Sequence, residues 1–403
     1  MVQYPQIILF TSGFPYGHGE SFLENEIIYL ADTFERVIIV PKNPKIALEQ
    51  RSLPGNCSVE ILNFTKKKLG ALSYLFQKGV LQEIFRVLFS QNGVNKFKII
   101  LGQIFTAYHT IRKLQEITEY NSKQIIYSYW TDDSAIAMGL IKPQYPHSLF
   151  ISRAHGWDVY FERHASNYLP LRPFLSQNLD NIFFISQNGL DYFRSISGVN
   201  PNFGKVSRLG TINCTTKLSE QKETSRLNIV SCSSIIPLKR VHLIIEALSL
   251  ADFSFHWHHI GSGSLKKSLS DQAEKSLPTA HFSFLGQMKN SEVMEFYRTN
   301  KVDLFINVSS SEGIPVGMME AQSFGIPCVG TKVGGVAEII NHAQNGYLLP
   351  ANPTAEDICK LLEAHWLLSK ETQTSMRQVT LQFWKEHYSA EKNYKRFIEE
   401  INS

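Results

Sequence analysis

Short apolar runs alternate with amphipathic stretches along the whole chain, and the alternation occurs once in each half. The apolar runs are rich in β-branched and aromatic residues, as buried strands are. In the first half they cover residues 6–11, 36–41, 124–129, 148–152, 181–186 and 205–209. In the second half they cover residues 227–232, 254–260, 281–285, 303–308, 327–330 and 346–349. This pattern is typical of βαβ units, so we predict an α/β fold with two parallel sheets.

The length of the chain, 403 residues, predicts two domains, because a single hydrophobic core stops growing below that size. The polar stretch TTKLSEQKETSR, residues 215–226, is the best candidate for a linker. We therefore predict Rossmann-like domains over residues 1–214 and 227–385. The final segment, 386–403, contains the amphipathic pattern SAEKNYKRFIEEI and is predicted to be a helix that packs back on the first domain.

Composition and charge exclude several classes of protein. Hydrophobic residues make up 43% and charged residues 19% of the chain, which is ordinary for a globular protein. Neither a bilayer-spanning run nor a signal-peptide pattern is seen, so a cytoplasmic protein is expected. The five cysteines are scattered without a CxxC pair, and the net charge of +4 is too small to indicate nucleic-acid binding.

One segment is nevertheless strongly basic. Between residues 63 and 114 there are nine basic residues against the single acid Glu83. The basic residues are Lys66, Lys67, Lys68, Lys78, Arg86, Lys96, Lys98, Arg112 and Lys113. Interleaved with leucine and phenylalanine, they indicate either peripheral contact of residues 66–113 with the inner face of the cell membrane, or ordinary helices with a solvated basic face. The sequence leaves both interpretations open.

The strongest chemical signal follows the predicted strand 303–308, in the string SSSEGIPVGMMEAQSFGIPCVGTKVGGVAEII. Ligands of open parallel sheets bind beyond the carboxyl ends of the strands. Pro315 suits the first turn of a helix, and Gly313 and Gly317 allow a ligand to approach the backbone. The amino end of such a helix attracts a diphosphate. Glu320 is then placed to bind ribose hydroxyls and Glu312 the transferred sugar, although a solvated acid and a structural ion pair are the alternative.

This string resembles the motif of glycosyltransferase family 4, in which seven residues separate two glutamates. The resemblance implies the GT-B fold, with two Rossmann-like domains facing across a cleft and a C-terminal helix that crosses back to the first domain. It also implies retaining, metal-independent sugar transfer of the bacterial surface-polysaccharide type. By resemblance, Glu320 binds the donor ribose and Glu312 the donor sugar. The backbone that holds the sugar and phosphates is then that of Gly313, Ile314, Pro315, Val316 and Gly317.

Further segments of the second half resemble the same family. In VSCSSIIPLKRVHLIIEAL, Lys239 matches the lysine that binds the donor phosphate, whereas Ser234 stands where the family usually has an arginine. Arg240 is a candidate for the missing charge, and an exposed basic pair is the alternative for Lys239 and Arg240. Three glycines follow the next two predicted strands, where the backbone can approach the diphosphate or the nucleobase. They are Gly261, Gly263 and Gly286.

The first half contributes two post-strand loops. Gly17 and Gly19 are predicted to bring the backbone close to a phosphate or to the acceptor. A dinucleotide-binding fingerprint is excluded, because Phe22 stands where its third glycine would be. In SRAHGWDVY, His155 resembles the family histidine that faces the donor sugar, with Asp158 orienting the loop or the ring. A structural turn histidine is the alternative for His155.

Two other groups of residues are not interpreted as metal sites. His256, His258 and His259 lie on one predicted strand. Of these, His256 and His258 share a face, and no third metal ligand stands at a useful spacing from them. Asp132 and Asp133 are explained as residues that cap a helix. Neither a metal nor a cofactor is therefore expected.

The resemblance thus implies an enzyme that transfers a hexose or N-acetylhexosamine from a nucleotide-sugar. A UDP-sugar is expected, because UDP-sugars are the donors that the family uses most often. The acceptor is expected to be a glycan or lipid-linked glycan in polysaccharide biosynthesis. A non-catalytic nucleotide-sugar-binding protein and a transferase with a small soluble acceptor are the alternatives.

Overall fold

The computed structural model describes residues 3–17, 19–44, 49–62, 69–213 and 225–402. The chain divides into two compact units, one formed by Met1–Arg208 with Tyr394–Ser403 and the other by Leu209–Asn393. Of the predicted linker 215–226, all but the last two residues lie outside the described residues.

The first unit contains a parallel sheet of seven strands with the order β3-β2-β1-β4-β5-β6-β7. Its strands are β1 Gln6–Thr11, β2 Arg36–Pro41, β3 Cys57–Val59, β4 Gln124–Ser128, β5 Leu149–Ala154, β6 Asn181–Phe184 and β7 Lys205–Val206. Its helices are α1 Leu23–Thr33, α2 Lys78–Leu88, α3 Gly93–Ile117, α4 Asp133–Ile141, α5 Arg172–Asn178 and α6 Gln187–Ser195, and a 3-10 helix spans Leu69–Phe76.

The central strands of this sheet are apolar at nearly every position because both faces are covered. In β1, Ile7 and Leu9 belong to one core cluster, while Ile8 and Phe10 belong to the cluster on the opposite face. The period-two geometry of a strand explains this division.

The second unit contains a parallel sheet of six strands with the order β10-β9-β8-β11-β12-β13. Its strands are β8 Leu227–Cys232, β9 Phe255–Ile260, β10 Phe282–Gly286, β11 Leu304–Asn307, β12 Cys328–Thr331 and β13 Gly346–Leu349. Its helices are α7 Val241–Ser249, α8 Lys266–Ser276, α9 Asn290–Thr299, α10 Val316–Ser323, α11 Val336–Ile339, α12 Ala355–Trp366 and α13 Lys370–His387.

The last helix, α14 Ala390–Asn402, begins in the second unit and ends in the first. Its Phe397 joins the core cluster that contains Ile7 and Leu9. The fully buried Arg153 guanidinium lies 4.4 Å from the Phe397 ring and 3.1 Å from the Glu26 carboxylate. A buried cation that is paired and covered by an aromatic ring fixes the end of α14 on the first sheet.

The predicted α/β class with two Rossmann-like domains is confirmed by these two parallel sheets. Every predicted strand has a counterpart, and the apolar pattern missed only the short edge strand β3. Among the described helices, none is long and apolar enough to cross a bilayer.

Candidate functional site

The candidate site of the second unit lies where its strand order changes direction, between β8 and β11. In open parallel sheets, ligands bind at such a point, beyond the carboxyl ends of the strands. Lys239 lies in the 3-10 turn Pro237–Lys239, which follows β8, and Glu312 lies in the loop that follows β11. The structure therefore brings these two predicted residues together.

Glu312 is the centre of a small hydrogen-bonded cluster. Its Oε1 accepts from Lys239 Nζ at 2.5 Å and from Asn307 Nδ2 at 3.0 Å. Burial alone would raise the pKa of Glu312, but the Lys239 ammonium and hydrogen bonds from neighbouring side chains hold it below the ordinary glutamate value. Glu312 is therefore an ionised acceptor, and Lys239 is a cation held at the same point.

The helix after Glu312 presents unused backbone amides. Within the part of the chain that the structure describes, no backbone carbonyl accepts from the amides of Gly313, Ile314, Val316 or Gly317. Pro315 is the residue before α10 and not part of its first turn, which corrects the predicted helix start by one residue. These amides and the positive end of the helix dipole form an environment that favours an anion.

Glu320 lies buried in the second turn of α10. Its Oε1 accepts from the side-chain amide of Asn290 at 2.5 Å. Asn290 is the first residue of α9, in the connection that follows β10. Asn290 was not among the residues predicted from the sequence, although it is a polar residue in the connection after a predicted strand, as the predicted site residues are.

Arg240 has a different environment from Lys239. It adopts the left-handed conformation with φ 48°. Its guanidinium donates to Val308 O at 2.7 Å, Ser309 O at 2.9 Å, Ala351 O at 2.8 Å and Asn352 Oδ1 at 3.1 Å. These contacts join the end of β11 to the loop after β13, so the described geometry makes Arg240 a positioning residue. A phosphate contact from Arg240 stays a prediction.

The remaining predicted residues of the second unit lie on neighbouring loops. Ser234 is exposed in the loop after β8. A Cβ added at Gly261 would lie 1.9 Å from Ser233 O, and one at Gly263 would lie 2.4 Å from Ile235 O. These glycines therefore allow two loops to pack together, whatever ligand they contact. A Cβ added at Gly286 would have no atom within 4 Å.

In the first unit, His155 and Asp158 lie together after β5. The His155 ring is buried against Phe22, Tyr129 and Trp130, with the nearest ring centroid 4.4 Å away. Among the described residues, neither ring nitrogen has a hydrogen-bond partner, and Nδ1 lies 4.0 Å from Asp158 Oδ2. A buried imidazole with unused polar atoms is unusual in a purely structural role.

Asp158 orients the loop that contains His155. Its carboxylate accepts from the backbone amides of Thr131 and His155, each at 2.6 Å. Burial would raise the pKa of Asp158, but the adjacent imidazole and these amides hold it below its ordinary value. A contact of Asp158 with the donor stays a prediction.

The glycine loop of the first unit is arranged around a residue that the sequence analysis missed. The carboxylate of Glu20 accepts from the backbone amides of Ser12, Gly13 and Phe14 at 2.8 to 2.9 Å, and from Trp130 Nε1 at 2.6 Å. Gly17 and Gly19, which were predicted to contact a ligand, instead accept hydrogen bonds through their carbonyl oxygens. The Arg51 guanidinium donates to Gly17 O at 2.9 Å and to Gly19 O at 2.6 Å. The amides after β1 are thus occupied by an internal carboxylate, and a ligand contact from Gly17 or Gly19 stays a prediction.

The acidic pair and the histidine strand have structural partners. Asp132 accepts from Ser134 N at 2.9 Å, as a helix cap does, and Lys42 pairs with Asp132 and Asp133. His256 contacts Ala280 O at 3.0 Å and Ser283 Oγ at 3.1 Å, and His259 contacts Ser231 Oγ at 2.8 Å. The described residues contain no group of three or more histidine, cysteine or acidic side chains placed to hold a metal ion.

Comparison with known sequences finds a family that the second half of the chain resembles. Residues 216–381 match the family model described as "Glycosyl transferases group 1". The chain is 27% identical over 217 residues to the putative colanic acid biosynthesis glycosyltransferase WcaL of Salmonella typhimurium, covering 52% of this chain and 53% of WcaL. It is 24% identical over 309 residues to the O-antigen biosynthesis glycosyltransferase WbnH of Escherichia coli, covering 74% of this chain and 82% of WbnH. The chain thus spans about half the length of WcaL.

Solved structures share the fold over almost the whole chain. Anabaena HepE, in complex with UDP and glucose, aligns with a TM-score of 0.70 at 15% identity, covering 99% of this chain and 100% of HepE. The lipopolysaccharide outer core galactosyltransferase WaaB aligns with a TM-score of 0.69 at 14% identity, covering 98% and 99%. These similarities confirm the predicted fold class. The chain therefore has the GT-B type of α/β fold, and its residues 216–381 are similar to the glycosyl transferases group 1 family.

Proposed function

We propose that this chain is a retaining, metal-independent glycosyltransferase of polysaccharide biosynthesis. It takes a hexose or N-acetylhexosamine from a UDP-sugar and transfers it to a glycan or lipid-linked glycan, in the cytoplasm or at the inner face of the membrane. The observation that supports this best is the Lys239–Glu312 pair beside the unused amides of α10. The surface-polysaccharide names of WcaL and WbnH and the UDP complex of HepE support the choice of donor and acceptor class.

The donor diphosphate lies, in this proposal, between the Lys239 ammonium and the backbone amides of Gly313, Ile314, Val316 and Gly317. An ammonium has three N–H donors, so Lys239 can keep its hydrogen bond to Glu312 while it donates to a phosphate oxygen. The ionised Glu312 then accepts a hydrogen bond from a hydroxyl of the transferred sugar. Glu320 accepts from the ribose hydroxyls, and Asn290 holds its carboxylate in place.

Transfer breaks the bond between the anomeric carbon and the diphosphate, and the acceptor oxygen bonds to that carbon on the same face. The departing diphosphate gains negative charge and takes the proton of the acceptor hydroxyl. Lys239 and the helix amides are already placed around the point where that charge develops, so they stabilise the transition state without rearrangement. Metal chemistry is not required for this step.

His155 is the catalytic residue that we propose for the first unit. A neutral imidazole can donate from one nitrogen and accept at the other, which suits adjacent hydroxyls of a bound sugar. The absence of any partner for its ring nitrogens among the described residues supports this role. Asp158 would keep the loop and the ring in position.

The test is turnover with a panel of nucleotide-sugars and lipid-linked or soluble glycan acceptors, with and without a chelator. Product with retained anomeric configuration is expected, and Glu312→Gln should lower kcat by about 100-fold, as loss of a transition-state contact does. Binding of a nucleotide-sugar without turnover on any acceptor would favour the non-catalytic alternative. Turnover on small soluble acceptors alone would favour the other alternative.

A further inference from the structure

The 3-10 helix Leu69–Phe76, α2 and the start of α3 expose an unusual number of large apolar side chains. Phe89 is 90% exposed and Phe76 is 75% exposed. The full group, which we call the apolar face, is Leu72, Phe76, Phe85, Leu88, Phe89 and Val94. Elsewhere in the described ranges, exposed residues of this size are separated by long stretches of sequence. A concentration of exposed apolar side chains marks an interaction surface, whereas single ones do not.

The elements of the apolar face are held on a rigid base. A Cβ added at Gly93 would lie 2.8 Å from Leu88 O, so α2 and α3 meet in a tight turn. On α2, Val80, Glu83 and Val87 face inwards. Phe85 and Phe89 lie one helical turn apart on the opposite, exposed side. The phenylalanines are therefore presented outwards by a helix whose other side is fixed in the core.

Within residues 69–113 the exposed charged side chains have one sign. Lys78, Arg86 and Lys98 are exposed on α2 and α3. The acid within residues 69–113, Glu83, is buried and accepts from Arg86 at 2.6 Å. Lys66, Lys67 and Lys68, which belong to the same predicted basic segment, lie outside the described residues. The described surface therefore combines exposed aromatic rings with cations and lacks an exposed carboxylate within that segment.

We infer that the apolar face is a docking surface for an anionic lipid bilayer. Aromatic and aliphatic side chains enter the boundary between headgroups and acyl chains, while the surrounding cations pair with lipid phosphates. A second copy of this chain fits less well, because a two-fold contact would bring the same cations together. This inference deepens the proposed membrane contact by assigning it to particular side chains, and it is testable without donor or acceptor.

The test is co-sedimentation of the full chain with vesicles of phosphatidylglycerol and phosphatidylcholine, compared with phosphatidylcholine alone. Binding is expected with the anionic vesicles only, and it should weaken as salt is raised. Phe85→Ser with Phe89→Ser should lower the partition coefficient by about tenfold or more, since buried phenylalanine contributes strongly. Lys78→Gln with Lys98→Gln should lower it by roughly tenfold, because each cation near an anionic surface contributes several-fold.

Leu367→Ser is the matched control, because Leu367 is also a highly exposed apolar residue but lies in the second unit. Its vesicle binding should equal that of the wild type, and all variants should keep the wild-type melting temperature. Failure of the wild type to bind anionic vesicles, or unchanged binding by the phenylalanine variant, would overturn the inference. So would a lipid-free dimer of the wild type that the phenylalanine variant abolishes. None of these results affects turnover on a soluble acceptor, so the transferase proposal is tested separately.

Discussion

Replacing Lys239 by methionine should destabilise the second unit. The substitution tests whether the Lys239 ammonium is the charge that keeps Glu312 ionised. Methionine has a similar length and packs in a similar space, but it leaves the Glu312 carboxylate without its cation. The Lys239 side chain is 19% exposed and that of Glu312 is 8% exposed. Breaking a fully buried ion pair costs roughly 3 to 5 kcal/mol, and the partial exposure of Lys239 reduces this to about 2 kcal/mol.

The effect should depend on pH with a defined sign. In the wild type the pKa of Glu312 is lowered, so its stabilising contribution is complete above the ordinary glutamate pKa and is lost as pH falls through the folded value. In the variant, burial without the cation should raise the pKa of Glu312. The carboxyl then protonates at a higher pH than in the wild type, and the deficit in unfolding free energy should shrink as the pH is lowered.

Urea unfolding at pH 7 and at pH 5 measures this difference, with tryptophan fluorescence and circular dichroism as probes. Glu312→Gln and the double variant complete a double-mutant cycle, for which we expect a coupling of about 1 to 2 kcal/mol at pH 7. A Lys239→Met protein as stable as the wild type at pH 7, or a deficit that grows on acidification, would refute the reasoning.

Three further predictions concern the same unit. Glu320→Ala should weaken UDP binding by roughly 10- to 100-fold, as loss of charge-assisted hydrogen bonds does, and unchanged affinity in titration calorimetry would contradict the ribose role. Gly261→Ala should lower the free energy of unfolding by about 3 kcal/mol or more, because its Cβ would lie 1.9 Å from a carbonyl oxygen at φ +139°. Gly286→Ala, whose Cβ has open space, should lower it by about 1 kcal/mol. Urea unfolding measures both. Burial lowers the pKa of His259 and of His365 to about 4, so the stability that each contributes is complete above pH 6.5 and is lost as pH falls from 6.5 to 4. Unfolding free energy that stays flat over that range would contradict this prediction.

The fold was largely predictable because its local signals agree. Strands buried on both faces form continuous apolar runs, and the helices between them keep a separate periodicity. The short edge strand Cys57–Val59 escaped notice because its residues are only partly buried and so form no apolar run. A correction of one residue at the start of α10 is a normal uncertainty of helix boundaries.

The site was predictable only where one segment contains it. Glu312 and Glu320 belong to one string, whereas the hydrogen bond between Lys239 and Glu312 joins residues 73 positions apart, and only the strand order brings them together. The contact of Asn290 with Glu320 has the same origin. The sequence also cannot show that the Arg240 guanidinium donates to backbone carbonyl oxygens, because every residue has a carbonyl oxygen and none is marked as a partner by its residue type.

Glu20 illustrates a further limit. Its carboxylate accepts from the amides of Ser12, Gly13 and Phe14, in the same loop whose Gly17 and Gly19 were predicted to approach a ligand. A glycine-rich loop predicts that amides are accessible, but it does not reveal whether an acid of the same loop already occupies them. Glu20 also adopts the left-handed conformation, with φ 54°, which the glycine pattern does not predict.

Amide hydrogen exchange with saturating UDP tests the central claim most directly. The claim is that the four backbone amides just before and at the start of α10 bind the donor phosphates beside Lys239. We predict that UDP slows exchange at Gly313, Ile314, Val316 and Gly317, and that Lys239→Met weakens UDP binding and requires more UDP for the same protection. Saturating UDP that leaves these amides exchanging at their original rate would contradict the account.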